Sequence, residues 1–158
     1  MYEVISVPQA EGALFTHGFT YSGHPVACAA GLKNIEIIEA EDICGHVLAT
    51  GPYFKERLEE LADLPIVGDV RGSHFMMCVE CVADKDTKEL FGPEINIGER
   101  IARHCRSRGL IIRPIGHLNV LSPPLIMTRD QIDDLVGILR ASIEATTDDL
   151  VRERLWRG

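Results

Sequence analysis

The chain has no basic cluster. Its 24 acidic residues outnumber 16 lysines and arginines, giving a net charge of −8. The arginines that come closest together, Arg100, Arg103, Arg106 and Arg108, fall on one helical stretch and read as a solvated face. This balance argues against nucleic acid or an anionic membrane surface as a partner. Long apolar runs are also missing: nothing approaches the ~20 residues needed to span a bilayer. Residues 1–10 have neither the charged leader nor the apolar core of a secretory signal. The odd count of five cysteines argues against a disulfide framework. Cys78 and Cys81 form a lone Cys-x-x-Cys, but in an apolar strand their spacing points them to opposite faces, and zinc would need two more ligands. Reduced, buried cysteines in a cytoplasmic protein are the expectation. Lysine is scarce as well: Lys33, Lys55, Lys85 and Lys88 are the whole set. None occupies a glycine-rich strand end that would desolvate it for imine chemistry, and all four are expected at the surface.

What is present suffices for one domain or slightly more. At 158 residues and 46% hydrophobic content the chain can bury a real core. Residues 1 to about 24 offer few core positions. A helix is predicted from about Pro25 to Ala40, apolar on nearly all sides at first and then narrowing to Cys28, Leu32, Ile35 and Ile38. A second helical pattern places Val47, Gly51, Phe54, Leu58 and Leu61 inward, with Pro52 either kinking it or marking its start. Strands are predicted at Val67 to Val70 and Phe75 to Val82, joined by an Arg71-Gly72 turn. Asn96 and Glu99 read as a capping box for a helix with Ile97, Ile101 and Cys105 inward, closed by Gly109. Leu110 to Arg113 and Leu118 to Ser122 read as strands around Pro114-Ile-Gly-His117. Thr128 and Gln131 form a second capping box, opening a helix that buries Ile132, Leu135, Val136, Leu139 and Ile143. Asp148 to Gly158 either frays or extends that helix. The order β-β-α-β-β-α predicts an α+β layer of mainly antiparallel strands with helices on one face.

One stretch invites a functional reading: His17-Gly-Phe-Thr-Tyr-Ser-Gly-His-Pro25, a polar turn running into the small-residue helix Val26-Ala-Cys-Ala-Ala-Gly-Leu32. Thr20, Tyr21 and Ser22 supply hydroxyls, Gly23 permits a positive φ, and Pro25 suits the first position of a helix. Such hydroxyls serve either as a helix cap or as a grip on an anion, aided by the N–H groups of the helix start. His17 and His24 lack an identifiable partner and read as turn residues.

The stretch resembles the phosphate-contacting segment of class III aminotransferases, pyridoxal 5′-phosphate enzymes of fold type I that include the ω-amino acid:pyruvate transaminases. Val70-Arg-Gly72 with Phe75-Met-Met-Cys-Val79, then Gly109-Leu-Ile-Ile-Arg-Pro-Ile-Gly116 and Leu121-Ser-Pro-Pro-Leu-Ile-Met-Thr128, are similar to later strands of that family. The likeness therefore covers roughly residues 1 to 145, with His74 departing from a position where the family often has glycine. It implies the small C-terminal domain of a fold type I aminotransferase over 41–158, preceded in 1–40 by the end of the large cofactor-binding domain and an inter-lobe helix. It also implies a dimer, with Thr20 and Phe19 contacting the cofactor phosphate of the neighbouring subunit. The family's Schiff-base lysine lies farther upstream of this turn than the 19 residues preceding Thr20, so no catalytic residue is expected within the chain and the chain alone is expected to be inactive.

Arg113 is the remaining candidate. An arginine fixed beside Pro114 and Gly116 at a strand end can form a structural ion pair or present its planar fork to a carboxylate. The resemblance implies the second role, that of the mobile arginine that holds the substrate carboxylate in ω-transaminases. Arg71, beside Gly72, reads as a structural hydrogen-bonding residue. The implied activity of the complete enzyme is amino transfer between an amine or ω-amino acid and a keto acid such as pyruvate. The alternative is a non-catalytic dimerisation or regulatory module that pairs with a lysine-bearing chain.

Overall fold

The structure, a computed structural model, describes Gly18 and residues 20–157. The described residues fall into two units, one ending at Glu41 and one beginning at Asp42. No helix among them is long and apolar enough to cross a membrane.

The first unit contains a turn at residues 20–23 and helix α1, Pro25–Ala40. Pro25 occupies the start of α1, and Gly23 takes φ 73°, the left-handed value that its missing Cβ permits. No residue of α1 is buried. Val26, Leu32 and Ile35 are all more than half exposed within this chain.

The second unit is the α+β layer. Helix α2, Ile43–Glu59, runs into a 3₁₀ turn at Glu60–Asp63. Asp42 caps α2 by accepting from the Gly45 N–H at 3.2 Å, so the helix starts well before Pro52, which sits inside it. Gly51 permits this course, because a Cβ there would stand 2.6 Å from the Cα of His74. Strands β1, Val67–Ser73, and β2, Met76–Cys81, form a hairpin whose turn is at His74-Phe75. The expected turn at Arg71-Gly72 therefore lies within β1. Helix α3, Ile97–Ser107, is followed by β3, Arg113–Ile115, β4, Leu118–Leu121, and the long α4, Arg129–Arg152.

All strand pairs are antiparallel and the spatial order is β1-β2-β4-β3. Strand parity then divides the sheet. Met77, Val79, Cys81, Asn119 and Leu121 face the helices and are buried, while Met76, Cys78, Glu80, Leu118 and Val120 face outward. The core joins this inner face to Phe54 and Leu58 of α2, Ile101 and Cys105 of α3, and Ile132, Leu139 and Ile143 of α4. Phe54 and Phe75 meet edge to face, with ring centroids 5.8 Å apart.

The capping box at Thr128 and Gln131 forms as predicted, with reciprocal bonds of 3.0 and 3.3 Å. The one at Asn96 and Glu99 does not. Asn96 has φ 49° and makes no side-chain cap, because the Gly98 N–H at this helix start bonds instead to the Gly116 carbonyl at 3.2 Å. Glu99 pairs with Arg106. The predicted strand over Leu110 to Arg113 is also corrected. Leu110 folds back to the Cys105 carbonyl, and Arg113 begins the short β3 rather than ending a strand. Past α4, Trp156 donates from its indole N–H to the Ala83 carbonyl at 2.6 Å and packs on the core.

Candidate functional site

The two predicted grips lie in different units. Thr20 sits in the exposed turn before α1, beside Tyr21, whose ring meets His24 edge-on at 6.0 Å. The His24 N–H closes the turn on the Tyr21 carbonyl at 3.2 Å. At the N-cap, His24 makes no side-chain hydrogen bond to the helix. Exposed hydroxyls, a positive-φ glycine and a helix start form a donor set suited to a phosphate. Phe19 and His17 lie outside the described residues.

Arg113 stands on the outer face of the sheet, at the edge. The strand registers pair Arg71 with Cys78, Cys78 with Val120, and Val120 with Arg113, so these four side chains form one row across the outer face. Arg71, at one end, donates to Asp69 at 2.9 Å and also to Glu80. Glu80 in turn lies 3.2 Å from His117 Nε2. These partners hold the Arg71 guanidinium above its ordinary pKa, with the Glu80 hydrogen bond contributing most. Arg71 is thus the structural residue its sequence context suggested. Arg113, at the other end, is exposed, and its guanidinium makes no ion pair or hydrogen bond among the described residues. It borders an open groove of about 260 Å³, walled by Ile111, Ile112, Val120, Leu121, Pro123 and Leu135, with Ser122 as its hydroxyl.

The remaining charged groups are engaged elsewhere. Tyr53 and Arg57 both donate to Asp133, at 2.7 and 2.8 Å, tying α2 to α4. Those two bonds, Tyr53 first, hold the Asp133 carboxyl below its ordinary pKa. All four lysines have partners. Lys33 bonds Glu36, Lys55 bonds Glu59, Lys85 bonds the Ala62 and Leu64 carbonyls, and Lys88 bonds the Gly68 carbonyl. Lys85 is half-buried rather than fully solvated as expected. Arg100, expected on a solvated face, bonds the Ile95 carbonyl and pairs with Glu153 at 2.9 Å. Cys78 and Cys81 do face opposite sides of the sheet, and Cys81 and Cys105 are buried. Cys28 and Cys44, by contrast, are exposed.

The family model described as Aminotransferase class-III matches residues 1–143. The chain belongs to the class III aminotransferase family. This aminotransferase chain is 43% identical over 137 residues to the putrescine–pyruvate aminotransferase of Pseudomonas aeruginosa, covering 86% of itself and 30% of that protein. It is 42% identical over 135 residues to the probable gamma-aminobutyrate transaminase 4 of rice, covering 85% of itself and 28% of that protein. Among solved structures, the PMP-bound aminotransferase from Vibrio fluvialis superposes with TM-score 0.79 at 39% identity, over 89% of this chain and 31% of that one. The match confirms the α+β aminotransferase fold, and the chain spans about a third of the length of these relatives. Class III aminotransferases depend on pyridoxal phosphate. The donor set at Thr20 fits the phosphate end of that cofactor.

The groove walls went unnoticed in the sequence. Val120 and Arg113 share a face only through the β3–β4 register, which hangs on the hairpin turn at Gly116-His117. Strand alternation in Leu118–Leu121 was the available signal.

Proposed function

We propose that this chain is the anion-holding portion of an aminotransferase that moves an amino group between an amine or ω-amino acid and a keto acid such as pyruvate. The observation that carries the proposal is Arg113: an exposed guanidinium without an acidic partner among the described residues, bordering an apolar groove, while Arg71 at the far end of the row is paired with Asp69 and Glu80. In this role Arg113 receives the substrate carboxylate through two parallel N–H donors and fixes its orientation. Thr20 donates its hydroxyl to the cofactor phosphate, with the N–H groups at the start of α1 adding positive potential. Bound pyridoxal phosphate supplies the electron sink for the transfer. The covalent anchor comes from a lysine outside this sequence, since the four present are committed to carboxylates and carbonyls.

In this reading residues 1–40 close a large cofactor-binding domain and 41–158 form the small one. A subunit pair brings the Thr20 turn to a neighbour's cofactor. The exposed apolar residues of α1, Val26, Leu32 and Ile35, support such pairing and equally support a non-catalytic module that joins a lysine-bearing chain. Five unpaired cysteines support a reducing compartment such as the cytoplasm.

The test is borohydride reduction of the chain with pyridoxal phosphate, followed by peptide mass spectrometry. The expected result is no stoichiometric label on any lysine and no amine transfer. Transfer should appear when a lysine-bearing aminotransferase portion is supplied, and fall with Arg113→Gln for keto acid substrates. Stoichiometric labelling of one of the four lysines would refute the division of labour.

A further inference from the structure

We propose that residues 153–157 form a strap that closes on the loop following β2 and opens together with that loop as one unit, while the core stays folded. The course of the strap is set where α4 ends. The Leu155 N–H bonds the Leu150 carbonyl at 2.9 Å and the Arg154 N–H bonds the Val151 carbonyl at 3.1 Å, the paired closure that turns a chain off a helix. That closure needs a left-handed residue, and Arg154 supplies it at φ 59°, in a position that glycine usually takes. Trp156 is thereby brought to the loop. It donates from its indole N–H to the Ala83 carbonyl and packs part of its ring on the core.

The loop it meets, residues 83–89, is bonded mostly to itself. Ala83 and Asp84 donate their N–H groups to the Glu89 carbonyl, and those of Asp86 and Thr87 go to one Asp84 carboxylate oxygen, each at 2.8 Å. Residues 84 and 86–89 are exposed. Lys85 and Lys88 reach out to the carbonyls of Ala62, Leu64 and Gly68, but each is a long side chain that gives up rotamer freedom to be held. The indole is rigid by comparison and joins the loop directly to the core. Lifting it takes the donor from the Ala83 carbonyl and bares the base of the loop. Strain at Arg154 works against closure, so the strap is shut by a narrow margin. Exposed, locally bonded segments of this kind open well below the free energy of global unfolding.

Hydrogen exchange of the isotope-labelled 158-residue chain, read by NMR, tests this. Trp156 is the only tryptophan of the sequence, so the indole N–H gives a single signal. That signal and the amides of Ala83, Asp84, Asp86 and Thr87 should respond together, while the amides of Val79 and Leu139 in the core keep their rates. Arg154→Gly removes the strain without touching the loop. It should slow exchange of both indole and loop by about threefold, after allowance for the freedom glycine gains in the open state. Trp156→Phe keeps an apolar ring but loses the donor, and should speed the loop amides by about fivefold. Loop amides that keep their rates in either variant would overturn the proposal. So would loop and core amides that speed up by the same factor, since the loop would then open only with the whole domain. Should Trp156→Phe fail to fold, the Arg154→Gly comparison decides alone.

Discussion

His104 Nε2 lies 2.8 Å from Asp149 Oδ2, a bond that ties α3 to α4 across 45 positions of sequence. Asp149 is largely sheltered, and Arg152 reaches its other oxygen at 2.5 Å. The hydrogen bond from His104 is the main reason that the Asp149 carboxyl sits below its ordinary pKa. A depressed carboxyl stabilises the fold fully above its unfolded value and loses that contribution as pH falls through the lowered folded value. Asp149→Asn should therefore cost about 1–2 kcal/mol at pH 7. The gap to the unaltered protein should hold down to about pH 5 and close below about pH 4. Urea unfolding across that series checks it.

Gly51→Ala should destabilise, although alanine ordinarily favours a helix over glycine. The added Cβ would meet the Cα and Cβ of His74 at 2.6 Å, and the Cα belongs to the backbone of the β1–β2 turn. The expected loss is about 1–3 kcal/mol, the usual cost of overpacking, against a propensity gain of less than about 1 kcal/mol. Because His74 contributes part of the clash, His74→Gly should recover some of that loss in the double variant, as thermal unfolding would reveal.

Two arginines should respond differently to loss of charge. Arg57 joins Asp133 and Glu60 and holds α2 to α4, so Arg57→Gln should lower the urea midpoint. Arg113→Gln removes no described contact and should leave the denaturation midpoint within about 0.5 kcal/mol of the original. A large loss of stability in Arg113→Gln would assign it a structural role instead.

Thiol reactivity should follow position in the fold. Cys28 and Cys44 are exposed and should alkylate first in the isolated chain. Burial pushes the Cys81 thiol up to about 12 and also raises Cys78 and Cys105. Cys81 and Cys105 should therefore be modified only after unfolding, as time-resolved iodoacetamide labelling with mass spectrometry would show.

The sequence was most legible where local chemistry and periodicity agree. Thr128 with Gln131 announces the start of α4, and its inward residues follow at helical spacing. The Asn96 and Glu99 pair carries the same signature but fails, since the competing acceptor for the Gly98 N–H, the Gly116 carbonyl, is contributed by a hairpin 18 positions downstream. Pro52 misleads about α2 for a related reason. The start of that helix is set by Asp42, and its passage over His74 by the missing side chain of Gly51. The Arg71–Cys78–Val120–Arg113 row needed the register of three strand pairs, which no single segment encodes. Trp156 could not be placed either, because its partner is a backbone carbonyl 73 positions away.

Pro114 lies in β3, opposite Asn119, on the outermost strand of the sheet. With its nitrogen closed into a ring, that margin offers an incoming strand one donor fewer than regular pairing requires. Growth of the sheet from molecule to molecule is discouraged on this flank, so the groove beside Arg113 stays open instead of being sealed by a fifth strand.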